Sequence, residues 1–546
     1  MPPISPQETP PKTSPAPRRR SPAALEPLKL PVFRLIWSTW LTANICMWMN
    51  DVAAAWLMTS LTTTPIWVAL VQSASTLPVF LLGLPSGALA DILDRRRWLM
   101  ATQFWLAITA IVLCAAIAFD LINAPLLLAL TFANGIGLAL RWPVFSAIVP
   151  ELVPRNQLPA ALGLNGMAMN LSRIVGPLVA GSLIAGAGTV WVFALNAVLS
   201  VASGFVILRW RREHTPNPLG RERLISAMRV GVQFVRQSQR MRAVLVRVGL
   251  FFFHSTALLA LLPLLARGLA GGGAGTFTLL LASMGAGAIL AVLFLPRLRQ
   301  AFTRDALVMR GALLQSAATA VMAFAPNAWV AVPAMFAAGM AWITVANSLS
   351  VSAQLALPDW VRARGMSMYQ MAIMGSSAFG AALWGQVATV STLQASLLAG
   401  AASGTLLMSL ALRWVKDGGT DDDLSPARPG WAHAPPGSLP VEAPPADARI
   451  VITVEYLIDP ARAAAFHLVM QETRRTRLAE GAIGWELLHD LSEPERYVEQ
   501  VVDQSWTEHL RRFNRATAAD LALRERRLAF HIGEAPPVVT RYVVRR

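Results

Sequence analysis

Charge is scarce in this 546-residue sequence: Asp, Glu, Lys and Arg make up 14% of it, while 55% is hydrophobic. That much apolar surface cannot be absorbed by one soluble core, which excludes a single globular domain and makes a polytopic membrane protein the natural class. Cysteine is nearly absent. Cys46 and Cys114 both fall inside apolar runs, with no disulfide framework and no metal-ligand spacing, so they read as packing residues, and neither metal nor cofactor is expected. Acidic residues are the scarcer sign, 31 against 47 basic, for a net charge of +16. A nucleic-acid partner would require a basic face interleaved with aromatics. The basic residues gather instead at the ends of apolar runs and in a terminal segment, so the charge reads as topological and no nucleic acid is expected.

Long apolar runs are what the chain has in quantity. Twelve windows, at 36–60, 66–86, 98–119, 124–148, 160–183, 188–209, 243–267, 276–296, 306–325, 328–352, 366–388 and 393–414, are each long enough to cross a lipid bilayer. Positive charge sits in alternate loops: Arg95 to Arg97, Arg155, Arg211 to Arg242, Arg297 to Arg304, Arg362 to Arg364, and Arg413 with Lys416. The opposite loops are short and nearly uncharged, with Asp120 and Arg267 as exceptions. Arginine-rich short loops stay inside, so both termini are expected to be cytoplasmic.

Composition divides the chain. Residues 1–28, rich in Pro and Ser around Arg18 to Arg20 and without an apolar signal core, read as a disordered cytoplasmic tail. Residues 29–210 form a first six-helix half, 211–242 a cytoplasmic linker, and 243–416 a second six-helix half. Ile225, Met228, Val232 and Val235 make the linker an amphipathic surface helix. Sliding the second half back by 204 residues pairs Pro154 with Pro358, Met167 with Met371, Ser172 with Ser376, Gly176 with Gly380 and Gly181 with Gly385. One register across separate helices indicates duplication. Residues 417–447, rich in Pro, Gly and Ala, read as a flexible linker, and 448–546 as a soluble domain. Its order is strand from Ile450, helix from Pro460 to Ala479, a hairpin of Gly484 to Asp490 and Tyr497 to Val502, a helix opened by a Ser505/Glu508 capping box and running to about Phe530, then a strand from Val538. That β-α-β-β-α-β order predicts a ferredoxin-like fold. The fold class is therefore an all-α polytopic membrane protein of twelve helices with a small α+β tail.

Between the second and third windows lies Gly87-Ala-Leu-Ala-Asp91-Ile-Leu-Asp94-Arg95-Arg96-Arg97, read as a short charged turn in which Gly87, Asp91, Arg95 and Arg96 form a gate. It resembles the loop 2-3 signature of the major facilitator superfamily, from which Ile92 and Asp94 depart. The fifth window carries Ser172-Arg173-Ile174-Val175-Gly176-Pro177-Leu178-Val179-Ala180-Gly181. Small residues at this spacing admit a neighbouring helix, and proline allows a bend, which makes Gly176, Pro177 and Gly181 a candidate helix interface. The stretch is similar to the fifth-helix antiporter signature of facilitator-type exporters, with Ser172 and Ala180 replacing two glycines. Together with Trp56-Leu57 and Pro150 to Arg155, these motifs resemble the enterobactin-exporter-like branch, whose bacterial members are labelled transmembrane secretion effectors. The resemblance implies a multi-pass protein of the bacterial inner (plasma) membrane that exports siderophores, macrolide-like compounds or other amphipathic small molecules by alternating access in exchange for protons. An arginine that many proton-coupled members place four residues before a glycine in helix 4 is replaced by Thr131 before Gly135.

Ionisable groups inside a membrane are costly unless paired or wet, so each is a candidate for proton or substrate handling. Asp51 is the only carboxylate well inside any window, with Asn50 beside it. Asp51 reads either as a proton carrier or as one half of a fixed ion pair with Arg173 or Arg141. Arg173 reads as its partner or as an attractor of anionic substrate. His254, at the repeat position of Asn50, is a second titrating candidate or a hydrogen-bonded core residue. Arg141 is expected to snorkel to lipid headgroups. Trp40, Trp48, Trp56, Trp142 and Trp342 line a cavity or anchor at the interface.

The tail resembles antibiotic-biosynthesis-monooxygenase-type domains, which often dimerise and so imply a homodimer. Some such enzymes use Trp and Asn side chains, which singles out Trp506, His509 and Asn514. The chain is read as an exporter and not an enzyme. Its alternatives are a membrane-tethered cofactor-free monooxygenase and a non-transporting sensor.

Overall fold

The computed structural model describes residues 25–92, 94–154, 156–210, 224–415, 423–427, 445, 447–513 and 515–545. The expected tail therefore lies almost wholly outside the described residues, and its last part, Glu26–Lys29, is a 3-10 turn with Pro27 buried. Six long helices follow: α1 (Pro31–Leu61), α2 (Pro65–Ile92), α3 (Arg95–Ala118), α4 (Ala124–Leu152), α5 (Leu158–Gly186) and α6 (Thr189–Arg209). After a short α7 (Leu224–Gln237) come six more: α8 (Gln239–Gly268), α9 (Ala274–Ala301), α10 (Arg304–Phe324), α11 (Ala328–Leu355), α12 (Arg362–Val390) and α13 (Leu393–Trp414). Ten of the twelve are long and apolar enough to cross a membrane. The other two, α1 and α12, are just as long but more polar, and each is packed among other helices of the bundle.

The two halves repeat each other. Both ends of α5 and α12 are separated by 204 residues, whereas α2 and α9 begin 209 apart, so the register slips by five between the early and late helices of each half. Asn123 and Asn327 cap α4 and α11 in the same way, each side-chain oxygen accepting the N–H three residues on. Gly176 of α5 lies against Trp48 and the Ile45 carbonyl of α1, and its repeat partner Gly380 of α12 lies against the Phe253 carbonyl of α8. Across the halves, Gly181 faces Thr278 of α9 and Gly385 faces Ala69 of α2. Only a residue without a side chain admits backbones this close.

At the end away from the arginine-rich loops the halves share one core, with Leu57, Met58 and Val68 packed among Leu262, Ala266 and Phe277. At the other end each half keeps its own: Phe33, Phe145 and Ile148 in the first, Val244, Phe252 and Leu349 in the second. The helices α2 and α12 stay together throughout, from the Ile66 N–H donating to Thr389 Oγ1 (3.0 Å), through Ser73 Oγ donating to the Ala378 carbonyl (2.7 Å), to Gly83 against Met371. On the opposite side nothing lies within 4 Å of where a side chain would start at Gly163 or Gly166 of α5, while Leu164, whose carbonyl accepts from Trp37 Nε1 (3.1 Å), and Ala168 stay packed in the core of the first half. Among the described residues, then, the halves share a core at one end and keep separate cores at the arginine-rich end.

The C-terminal domain comprises β1 (Ile450–Leu457), α14 (Ala463–Ala479), β2 (Gly484–His489), β3 (Arg496–Asp503), α15 (Trp506–Phe513), α16 (Ala518–Leu528) and β4 (Val538–Val543). Sheet order is β2-β3-β1-β4 with every neighbour antiparallel, the ferredoxin-like arrangement. Ile450, Ile452, Val454 and Tyr456 alternate inward along β1 onto Phe466 and Met470.

Three expectations are corrected here. The second helix of this domain is broken: Ser505 accepts the Glu508 N–H (3.2 Å), but the Glu508 carboxylate pairs with Arg511 and Arg515 instead of returning to the cap. A full capping box at Thr517 and Asp520 then starts α16. Within the expected linker, Asp423 to Ala427 is bound over that break, with Ala427 N–H donating to Ala516 and Ala518 N–H to Ser425; the other residues of 417–444 lie outside the described set. Finally, α7 is not a free surface helix. Gly231 packs on Arg364 and Met368 of α12, Phe234 meets Trp360 edge-on, and Gln233 Nε2 donates to the Ala482 carbonyl (2.7 Å) of the C-terminal domain.

Candidate transport site

The residues singled out in the sequence are dispersed by the helices that carry them. Asn50 and Asp51, adjacent on α1, face different neighbours. Asn50 is buried and accepts a long hydrogen bond from Asn196 of α6 (3.5 Å), which in turn accepts from Ser200 (3.2 Å). Asp51 turns to α2, where Ser75 Oγ donates to its Oδ1 (2.8 Å). Ser75 is held in place because its own carbonyl and that of Ala74 lie against Gly135 of α4. Among the described residues Asp51 has no ion-pair partner, so the alternative reading of it, a fixed pair with Arg173 or Arg141, is not formed.

Arg173 lies on α5, one turn before Pro177. The proline ring removes the N–H that would bond the Arg173 carbonyl, while the helix continues to Gly186. Its guanidinium lies 5.3 Å from the centre of the Trp48 ring on α1 and 4.2 Å from that of Trp342 on α11. The cation thus sits between aromatic faces contributed by the two halves. Its Nε is buried without a partner, and it makes no ion pair among the described residues. Trp48 and Trp342 belong to the aromatic set named from sequence, but their convergence on Arg173 was not visible there.

Arg141 is a correction. It does not snorkel: it is 1% exposed, with the guanidinium 5.3 Å from the Trp40 ring centre and donating to Gln103 Oε1 (3.3 Å) and the Ala43 carbonyl (3.5 Å). The helix continues to Leu152, about three turns beyond Arg141, so the side chain is too deep to reach the headgroups. His254 lies in the interior of the second half, bordering a cavity of about 20 Å³ with Ser255 and Gln315. Its Nδ1 is 2.7 Å from the Leu250 carbonyl, an acceptor only, so Nδ1 carries the proton. The structure does not bring His254 to Arg173 or Asp51.

The stretch from Gly87 to Ile92 is helical, continuing α2, so most of the expected turn belongs to that helix. Asp94 caps α3 by accepting the Arg97 N–H (3.0 Å). Arg95 pairs with Glu151 of α4 (2.5 Å), and Arg96 donates to the Leu208 carbonyl at the end of α6. The Asp91 side chain lies outside the described residues, and so do those of its neighbours from Gly87 on. At the end where the halves share a core, Trp56 stacks on Phe277 (5.5 Å) and the Arg267 guanidinium lies 4.7 Å from the Trp56 ring centre, a seam between α1, α8 and α9.

Two six-helix halves related by a repeat, sharing a core at one end and keeping separate cores at the other, with a cation between them that has no ion pair among the described residues, define a secondary-transporter type of fold. Solved structures share it: a nucleoside transporter, NupG, at 13% identity and TM-score 0.57, covering 70% of this chain and all of that one, and a bacterial homologue of the lysosomal transporter Spinster, inward-facing and occupied, at 14% and 0.57, covering 72% and 98%. The chain belongs to the transmembrane secretion effector family of the major facilitator superfamily, whose pattern matches residues 22–546. Among its relatives are the staphyloferrin A transporter of Staphylococcus aureus, 22% identical over 46% of this chain and 63% of that protein, and macrolide efflux protein A of Streptococcus pyogenes, 25% identical over 43% and 58%. The matches thus span less than two thirds of the length of these relatives.

Family and relatives are transporters, so the chain is a transporter-family membrane protein and not an enzyme, and the monooxygenase alternative is unsupported. In the C-terminal domain His509 is buried against Asp503 (2.8 Å) with Trp506 beside it. Burial, outweighing the hydrogen bond to Asp503, holds His509 below the usual histidine range. Asn514 lies outside the described residues.

Proposed function

We propose that the protein is a proton-coupled secondary exporter of amphipathic small molecules, siderophore-like or drug-like, in a bacterial plasma membrane. The arginine-rich loops and both termini are cytoplasmic by the positive-inside rule, which makes the end with separate cores the cytoplasmic mouth. The observation that carries the reading is Arg173 between Trp48 and Trp342, since a cation flanked by aromatic faces from both halves suits a substrate with apolar bulk and an anionic group. That the relatives are named for staphyloferrin A and macrolides supports the same class.

Asp51 is the proton carrier. With a hydrogen bond from Ser75 and no ion-pair partner among the described residues, its carboxyl can gain and lose a proton without breaking an ion pair. Alternating access is the exchange of the Gly181–Thr278 and Trp56–Phe277 contacts at the end with the shared core for closure of the mouth. The α7 helix and the C-terminal domain sit at that mouth, and the uncovered face of the sheet, with Leu488 and Val498 paired on it, supports self-association. Cellular accumulation of fluorescent amphiphiles, with and without a protonophore, tests the reading.

A further inference from the structure

The cavity of about 20 Å³ beside His254 lies among α8, α10 and α13 and shares no lining residue with the Arg173 site. Its origin can be read from the repeat. The sixth helices of the two halves, α6 and α13, begin 204 residues apart, so Gly400 and Gly404 of α13 stand where α6 has Asn196 and Ser200. In the first half those two side chains continue the polar chain from Asn50. In the second half they are missing. Part of the space goes to His254, since a Cβ at Gly404 would come within 2.9 Å of the His254 Cβ. The cavity is the remainder.

Three polar groups of its lining are left to be satisfied. Ser255 of α8 is 5% exposed and Gln315 of α10 is 6% exposed, and neither Ser255 Oγ nor Gln315 Oε1 has a hydrogen-bond partner. His254 Nδ1 donates to the Leu250 carbonyl, which leaves Nε2 with a lone pair and no proton. The neighbouring hydroxyls are engaged elsewhere: Thr319 Oγ1 donates to the Gln315 carbonyl (2.8 Å), and Ser316 Oγ accepts from Thr405 (2.8 Å). Polar atoms buried without partners are costly in an apolar interior.

Gln315 Oε1 and His254 Nε2 can only accept, so they cannot satisfy each other. A group with two hydrogens and a lone pair satisfies both and also takes the Ser255 proton. The lining residues include no carboxylate, lysine or arginine, so a metal cation or an anion would lie there without a counter-charge. The charged groups nearest along α8 and α10 are held away from it: Arg247 by Asp305 and the Val415 carbonyl, and Arg310 on the Phe302 ring. The volume exceeds the roughly 10–15 Å³ that one water needs.

We propose that this cavity binds one water molecule, which donates to Gln315 Oε1 and His254 Nε2 and accepts from Ser255 Oγ. The water takes the place that the Asn196 and Ser200 side chains fill in the first half, and it ties α8 to α10. His254 is then a positioning residue, a neutral imidazole with both nitrogens in use, and not a second proton carrier. The inference requires neither a substrate nor a proton gradient, so it stands apart from the transport reading.

The test is nuclear magnetic resonance on full-length protein in detergent with 15N-labelled histidine, the His254 signals being assigned by their loss in His254→Gln. The expected result is an imidazole protonated on Nδ1 alone, with magnetisation transfer from a bound water to Nε2, and unchanged across about pH 5 to 8, where free histidine changes charge. Gln315→Leu and Ser255→Ala should each shift the Nε2 resonance, and the double variant should lose the water transfer. The wild-type spectrum decides even where a variant does not fold. Absence of the water transfer in wild type, transfer from the Gln315 amide in its place, protonation of Nε2 within that pH range, or a water signal that survives the double variant overturns the inference.

Discussion

Arg173 of the first half and Trp342 of the second meet across the bundle, guanidinium to ring centre at 4.2 Å, and no carboxylate pairs with that arginine among the described residues. A half-buried cation held between aromatic faces, with no ion pair among the described residues, is worth about 2 kcal/mol to its neighbours and remains available to an anion. Replacing it with Gln should raise the apparent KM for carboxylate-bearing substrates about tenfold, equivalent to about 1.4 kcal/mol, and leave neutral amphiphiles nearly unaffected. Trp342→Ala should weaken both kinds. Initial rates of efflux against substrate concentration check this; equal losses for neutral and anionic compounds would remove the anion-recognition role.

Gly181 stands so close to Thr278 that any side chain there pushes α5 from α9. Gly181→Leu should cost about 1–3 kcal/mol at the end with the shared core and bias the bundle away from that arrangement. A cysteine placed at Phe277 should then become reactive to a membrane-impermeant thiol reagent from outside, in a background lacking Cys46 and Cys114. Unchanged labelling would mean that the seam is not a gate.

In the C-terminal domain Glu499 is fully buried, accepting from Tyr456 (3.0 Å), Arg477 (3.1 Å) and Trp485 (3.0 Å). Burial alone would push its carboxyl up, but Arg477 and Arg527 with these donors outweigh it and bring it down to about 2. A depressed carboxyl stabilises the folded state fully above its ordinary value of 4.5 and loses that contribution as pH falls from there toward 2. The thermal midpoint of this domain should therefore drop on acidification below about pH 4.5. Glu499→Gln, which leaves the partly buried Arg477 without this anion and removes a buried ion pair, should cost about 3–5 kcal/mol at pH 7 and flatten the acid limb. Differential scanning calorimetry reads both.

The β2 and β3 strands pair Leu488 with Val498 on the face not covered by helices. Val498→Arg should convert a dimer in detergent to a monomer by light scattering. A monomeric wild type would remove the self-association.

How far the chain is legible depends on where the information lies. Helix spans and the repeat were readable because they rest on hydropathy and on glycines, and the 204-residue register reappears in α5 and α12 end for end. Helix rotation was not. In α4 most residues are apolar, so no stripe marks the inward face, and Arg141 was expected at the lipid surface when it is buried beside Trp40. Asn50 and Asp51 adjoin in sequence and look like one unit, yet successive residues on a helix diverge by about 100°, which sends one to α6 and the other to α2. The charge around Gly87 points to a turn, although Ala88, Leu89 and Ala90 are good helix formers and Asp94 is the residue that caps. In the tail the helix break was hidden because Ser505 and Glu508 match a capping box, and only tertiary pairing with Arg515 takes the glutamate away.

The most direct measurement is proton-driven efflux in inverted membrane vesicles, comparing wild type with Asp51→Asn at matched membrane abundance. A proton-coupled exporter with Asp51 as carrier predicts that wild type accumulates an amphipathic substrate when the lumen is acidified and releases luminal protons as it does so. The Asn variant should bind substrate and exchange it passively but concentrate none. Full proton-driven accumulation by Asp51→Asn would contradict the assignment.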